Sequence, residues 1–175
     1  VFSFIWFISV LFYFLKTQAL DQSLINTENP LSAKVEFLPS NFSTEQIIEL
    51  RAQLFLSDGY KTYFDKFKVS ISETDGVDMG FGVSNLHIEP LVEFYDKFSK
   101  TTRKGMKGKA TLTVAVKVPK VLPPSFYNGK ANLVVKIHYQ ACTDTYCLFP
   151  QVFENKIPVF LNSAPSSQPI SFFNL

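Results

Sequence analysis

The residues with redox or ligand chemistry to offer are Cys142 and Cys147, the two cysteines of this 175-residue chain. Thr143-Asp144-Thr145-Tyr146 separates them. In the chain-entropy estimate, a bridge across so short a loop removes about 2 kcal/mol of unfolded-state freedom, against more than about 4 kcal/mol for a long loop. The spacing is therefore a weak device for stability. A bridge closing a tight loop at a strand end is better placed to exchange, because exchange needs a thiolate to approach one sulfur. Spacing alone leaves three chemistries open: a redox pair, an ordinary stabilising disulfide, and a zinc or copper site in which His138 joins the two thiolates. The metal site lacks a second cysteine pair and a fourth ligand, so no metal and no other cofactor is implied.

The elements that must position this pair read as strands. From Ala131 to Cys142 the odd positions are apolar and the even ones mostly polar. Period 2 then predicts Cys142 on the polar face, in line with His138 and Gln140. A structural immunoglobulin-type bridge does the opposite, joining distant strands through the core. Period-2 alternation also marks Val35 and Phe37, ended by Pro39. It continues through Ile48, Leu50, Ala52, Leu54 and Leu56, where Ser57-Asp58-Gly59 turns the chain. Phe67, Val69 and Ile71 follow, then Leu112 to Val118, ended by Pro119, and finally Ile157, Val159 and Leu161. Strands separated by Gly, Pro, Asn and Asp, with no sustained helical period, predict an all-β, immunoglobulin-like antiparallel β-sandwich.

Composition sets the outer bounds. At 46% hydrophobic and 15% aromatic residues the chain can bury a core, which excludes disorder. A net charge of +2 is too mild to argue for nucleic acid. Val1 to Leu15 is apolar apart from Ser3 and Ser9 and holds five of the 19 phenylalanines. At a helical rise it spans about 22 Å, short of the roughly 30 Å hydrocarbon core. Residues 1–19 therefore read as a secretory signal ending in Thr17-Gln18-Ala19, with an uncleaved membrane anchor as the other reading. Residues 20–162 form the domain, and the Ser/Pro-rich residues 163–175 read as a linker or truncated tail. Lys97, Lys100, Arg103, Lys104, Lys107 and Lys109 form a basic run, expected to be a solvated, mobile loop. His87 has no evident partner.

The run His138-Tyr139-Gln140-Ala141-Cys142-Thr143-Asp144-Thr145-Tyr146-Cys147-Leu148-Phe149-Pro150 resembles the active-site segment of the amino-terminal periplasmic domain of DsbD, the bacterial transmembrane thiol:disulfide interchange protein. Two further segments match in order. Asp58-Gly59-Tyr60 followed by Tyr63 resembles the aromatic strand of that family, with Lys61 where an aromatic can occur. Glu93-Phe94-Tyr95 resembles its cap loop. Phe149 stands where many members carry a proline.

The resemblance implies a periplasmic module whose Cys142–Cys147 pair relays electrons. A thioredoxin-like domain would be the donor. A periplasmic disulfide isomerase or a cytochrome c maturation thioredoxin would be the acceptor. Contact with the membrane would come through a transmembrane domain of the same protein or an uncleaved anchor. By the same resemblance Cys147 is the attacking thiol, Cys142 the resolving thiol, and Phe94 the cap that shields them. Tyr60 and Tyr63 are candidate walls of the site, though half-buried strand aromatics need no function. Asp144 would restrain a nearby thiolate by charge repulsion or serve only as a turn residue. The competing class is a non-catalytic immunoglobulin-like binding domain, involved in copper handling or not, whose bridge is inert.

Overall fold

In a computed structural model, which describes residues 29–74, 76–127 and 131–161, the alternating segments become strands. The elements are β1 (Leu31–Leu38), β2 (Asn41–Phe42), β3 (Ile47–Leu56), β4 (Lys61–Tyr63), β5 (Lys68–Glu73) and β6 (Gly82–Glu89). They continue with β7 (Val92–Asp96), β8 (Thr101–Met106), β9 (Lys109–Lys117), a one-turn helix α1 (Pro124–Tyr127), β10 (Ala131–Tyr139), β11 (Ala141–Cys142) and β12 (Gln151–Leu161). The segments read as a signal (1–19) and as a tail (163–175) lie outside the described residues.

Two four-stranded sheets form the sandwich. One has the order β1-β3-β9-β6 and is antiparallel throughout. The other has the order β2-β12-β10-β5, antiparallel except where β2 runs parallel to β12. Alternation decides which residues face inward. Ile48, Leu50, Ala52 and Leu54 of β3 and Leu112, Val114 and Val116 of β9 are buried, and they join one core with Leu133, Val135 and Ile137 of β10. Each fully buried Leu, Ile or Val side chain contributes about 1.5–3 kcal/mol of transfer free energy, so this strip dominates the stability of the domain. The all-β, immunoglobulin-like antiparallel sandwich expected from the pattern is the fold observed.

A third, smaller sheet has the order β11-β4-β8-β7. Here the sequence expectations need two corrections. The basic run from Lys97 to Lys109 is not a solvated loop. It contains β8, which pairs with β7 from Val92↔Gly105 to Asp96↔Thr101. Alternation failed to reveal β8 because its inward residues are Arg103, Gly105 and Met106 rather than a series of aliphatic side chains. Likewise Glu93, Phe94 and Tyr95 lie on strand β7, not in a loop.

Gly105 explains how this sheet closes. A Cβ built on Gly105 would stand 1.8 Å from the Thr62 carbonyl oxygen and 2.8 Å from Phe94 Cζ. Only a residue without a side chain lets β4, β8 and the Phe94 ring approach so closely.

Candidate active site

Cys142 closes β11 and Cys147 lies beyond the turn, joined by a disulfide with Cα atoms 3.9 Å apart. The predicted placement of Cys142 on a polar face does not hold. The ladder of β10 ends at Tyr139, Gln140 interrupts it, and Ala141–Cys142 pairs with β4 in the third sheet. The break resets the face, and Cys142 becomes completely buried, whereas Cys147 is exposed. The two cysteines are thus unequal in exposure.

Thr143 shapes the intercysteine turn. Its N–H donates to the Tyr146 carbonyl at 2.8 Å, and its Oγ1 accepts from the N–H groups of Thr145 at 3.2 Å and Tyr146 at 3.1 Å. The Leu148 N–H donates to the Ala141 carbonyl at 2.8 Å, and Gln140 Nε2 donates to the Leu148 carbonyl at 3.0 Å. These bonds satisfy backbone groups that the short strand leaves unpaired. Tyr146 also reaches back, its hydroxyl 3.4 Å from that of the buried Tyr60.

Lys61 is the cross-strand partner of Cys142. Its side chain is only 7% exposed, and its Nζ donates to Asp144 Oδ1 at 3.0 Å. The Lys61 bond, followed by the charges of Lys61, Lys97 and Lys107, lowers the Asp144 pKa below the usual aspartate value. Asp144 is therefore a compensated anion, which weakens the repulsion expected of it from sequence. Lys61 and Lys107 also stand 5.5 Å and 5.6 Å from the centre of the half-buried Phe94 ring, within cation–π range. Phe94 packs on Tyr63 with ring centroids 5.4 Å apart. Lys61, Lys107, Tyr60, Asp58 and Asp144 line a shallow pocket of about 250 Å³ beside the intercysteine turn.

Behind Phe94 the third sheet is held by charge. Arg103 lies 3.7 Å from the centre of the Tyr63 ring and donates to Asp65 at 2.5 Å and to Asp96 at 3.2 Å. Asp96 is buried, and it accepts from Ser99 Oγ at 2.7 Å and the Phe98 N–H at 3.1 Å. The Ser99 bond is the largest of the effects holding its carboxyl well below the usual range, against the opposing effect of burial. The Tyr63 hydroxyl is buried without a well-formed hydrogen bond among the described residues. That burial, together with the neighbouring Asp96 carboxylate, pushes its pKa up to about 12.

A family model described as "Thiol:disulfide interchange protein DsbD, N-terminal" matches residues 27–157. The chain belongs to the DsbD N-terminal family. The disulfide-bonded pair accordingly sits in a domain type that is part of a thiol:disulfide interchange protein. Among solved structures, the chain is similar to the DsbD N-terminal domain of Neisseria meningitidis in the reduced form, at 18% identity and a TM-score of 0.47, covering 78% of this chain and 90% of that one. It is also similar to the DsbD N-terminal domain in the Neisseria meningitidis complex with the PilB N-terminal domain, at 15% identity and a TM-score of 0.45, covering 78% and 91%. The N-terminal periplasmic domain of ScsB from Proteus mirabilis matches at 12% identity and a TM-score of 0.46, covering 73% of this chain and 45% of that one. Among curated proteins none matches.

Of the residues singled out in this DsbD N-terminal family sequence, Cys142, Cys147, Asp144, Tyr60, Tyr63 and Phe94 come together around β4 and the intercysteine turn. Glu93 and Tyr95 flank Phe94 on β7 but are exposed, Glu93 lying 3.7 Å from Lys104. His138 is apart from the cysteines in its contacts, with Nε2 3.5 Å from Ser70 Oγ. His87, without an evident partner in the sequence, lies 2.7 Å from Glu89. Sequence reasoning missed the roles of Lys61, Arg103, Asp96 and Gly105. Lys61 carried a signal, being a lysine inside an aromatic strand.

Proposed function

We propose that this domain is a dithiol relay in which Cys147 exchanges with partner proteins and Cys142 resolves. The observation that carries the reading is the inequality of the two cysteines, Cys142 buried and Cys147 exposed, in a short-loop disulfide. A donor thiolate needs an in-line approach to one sulfur, and Cys147 offers it. Attack on Cys147 Sγ breaks the Cys142–Cys147 bond, forms a mixed disulfide, and expels Cys142 as a thiolate. The donor's second thiol then releases Cys147. The donor is left oxidised and this pair has gained two electrons. In the forward direction the Cys147 thiolate attacks an acceptor disulfide and the first acceptor thiolate leaves. Cys142 next attacks Cys147 Sγ, re-forming the internal disulfide and releasing the acceptor as a dithiol. Phe94, held over Gly105 by β7, acts as the cap that limits small thiols.

Family membership supports the setting. The donor is a thioredoxin-like domain, and the acceptor is a periplasmic disulfide isomerase or a cytochrome c maturation thioredoxin. The domain is exported, with residues 1–19 as its signal or anchor, 20–162 as the folded unit and 163–175 as a linker. Among the described residues no helix is long and apolar enough to cross a membrane.

The test is trapping. Cys142→Ala should accumulate a stable mixed disulfide through Cys147 with a thioredoxin-like protein, and Cys147→Ala should accumulate little. Equal trapping by both variants would remove the assignment of roles. Trapping by neither would point to an inert bridge.

A further inference from the structure

Lys61 is the residue whose placement the oxidised structure leaves least explained. A lysine is rarely this buried unless an anion meets it. Here the anion is the side chain of Asp144, 75% exposed and on the turn between the cysteines. Beside the Phe94 ring, Lys61 also neighbours its cross-strand partner Cys142, which carries no charge while it is bonded to Cys147. Reduction changes that balance. A fully buried thiol is held protonated by its surroundings and is then a poor nucleophile. Paired residues on adjacent strands present their side chains on the same face, with Cβ atoms about 4.5–5.5 Å apart. The two side chains thus share a face, and the flexible lysine stem is long enough for its ammonium to turn from Asp144 toward a sulfur there, where an opposite charge favours ionisation.

We propose that Lys61 is a positioning cation for the resolving step. Its ammonium is paired with Asp144 in the oxidised domain and shared with the Cys142 thiolate once the disulfide opens. This inference rests on the relay reading and adds to it the group that keeps the buried thiol reactive. The charges facing the pair come from each packed element. Lys61 is on β4, Asp144 on the turn, Lys107 after β8, Lys97 after β7 and Asp58 on the turn before β4, with the hydroxyls of Tyr60 and Tyr146 alongside. Lys107 and Lys97 are exposed, so solvent screens them more than it screens Lys61.

The experiment uses the whole chain with Cys147→Ala, so that Cys142 is the single thiol and its titration is unambiguous. Thiolate absorbance is followed against pH. Adding Lys61→Met should raise the Cys142 pKa by about one unit or more, and Lys61→Arg should restore it. Asp144→Asn removes the competing anion at an exposed position and should shift the pKa downward, which keeps the test available if Lys61→Met fails to fold. In the two-cysteine chain, each unit of upward shift should slow resolution of the mixed disulfide about three- to fourfold, because lost thiolate is partly offset by higher nucleophilicity. An unchanged pKa in Lys61→Met, or an upward shift in Asp144→Asn, overturns the proposal. Trapping through Cys147 in Cys142→Ala does not depend on Lys61. Trapping without a pKa shift therefore sinks this inference alone, whereas a pKa shift without trapping sinks the relay and the resolving role with it, leaving only the coupling between Lys61 and Cys142.

Discussion

On β3, β9 and β10 the inward positions hold Leu50, Ala52, Leu54, Leu112, Val114, Leu133, Val135 and Ile137, all buried and all aliphatic. On β4, the three-residue strand beside the disulfide, the buried residues are Lys61, Thr62 and Tyr63. Nonpolar area holds the large sheets together, and such area is indifferent to which aliphatic side chain supplies it, provided volume is kept. The small sheet depends on specific pairings instead: Lys61 with Asp144, Arg103 with Asp65 and Asp96, and Phe94 over Gly105. The sandwich carries the stability. The small sheet uses polar and aromatic contacts to leave one cysteine exposed and the other enclosed. If the division holds, the disulfide should open without disturbing the core.

The most severe test of that division removes core volume. Leu112→Ala, at a fully buried position of β9, should cost about 2–5 kcal/mol. Under conditions where the variant remains folded, the rate of reduction of Cys142–Cys147 by a small dithiol should stay that of the parent. A rate that rises in step with the lost stability would mean that the disulfide reacts through global unfolding, and the division between the two regions would collapse.

The same contrast decides which parts of the fold are legible in the sequence. Ile48 to Leu56 and Leu133 to Tyr139 were legible because an aliphatic residue at every second position leaves little choice of face. The boundary of β10 was not, because nothing in Gln140-Ala141-Cys142 marks a strand that changes sheets. Alternation extended across that break places Cys142 on the wrong face. Strand β8 is hidden inside a basic run because Arg103 is half-buried against its carboxylate partners, and Asp65 lies 38 positions earlier in the chain. The family of the domain is legible in the segment around Cys142 and Cys147, although their spacing alone leaves three chemistries open. The electrostatics of the site is not legible there, since the Lys61–Asp144 pair joins residues 83 positions apart.

A smaller effect is expected from the charge cluster. Asp96→Asn weakens the hydrogen bonds from Ser99 and Phe98 and leaves Arg103 with Asp65 alone, a loss of about 1.5–3 kcal/mol near neutral pH. The sign of its pH dependence follows from the depressed Asp96 pKa. The stability that Asp96 contributes is complete above its unfolded value of about 4. It is lost as the pH falls from there toward the lower folded-state value. Urea midpoints of parent and variant should therefore differ near neutrality and converge in acid. A gap that stays constant on acidification would show that the ionised carboxylate is not what holds β7 and β8.

The gentlest change in stability should come from the cap, and it separates the two regions most finely. Phe94 is half-buried, so Phe94→Ala should cost about 0.8–1.5 kcal/mol, half of what full burial of an aromatic contributes. An aromatic of the main core would cost about 3–5 kcal/mol. Its ring lies against Tyr63 and Gly105, with the ammonium groups of Lys61 and Lys107 within cation–π distance. Removing it uncovers the strand that pairs with Cys142. Reduction of the disulfide by a small dithiol should accelerate even though the melting temperature moves little. Exchange with a thioredoxin-like protein, which approaches the exposed Cys147, should change less than reduction by the small reagent. If the small reagent shows no acceleration, Phe94 is only a packing residue of the third sheet, and protection of the pair comes from the burial of Cys142 alone.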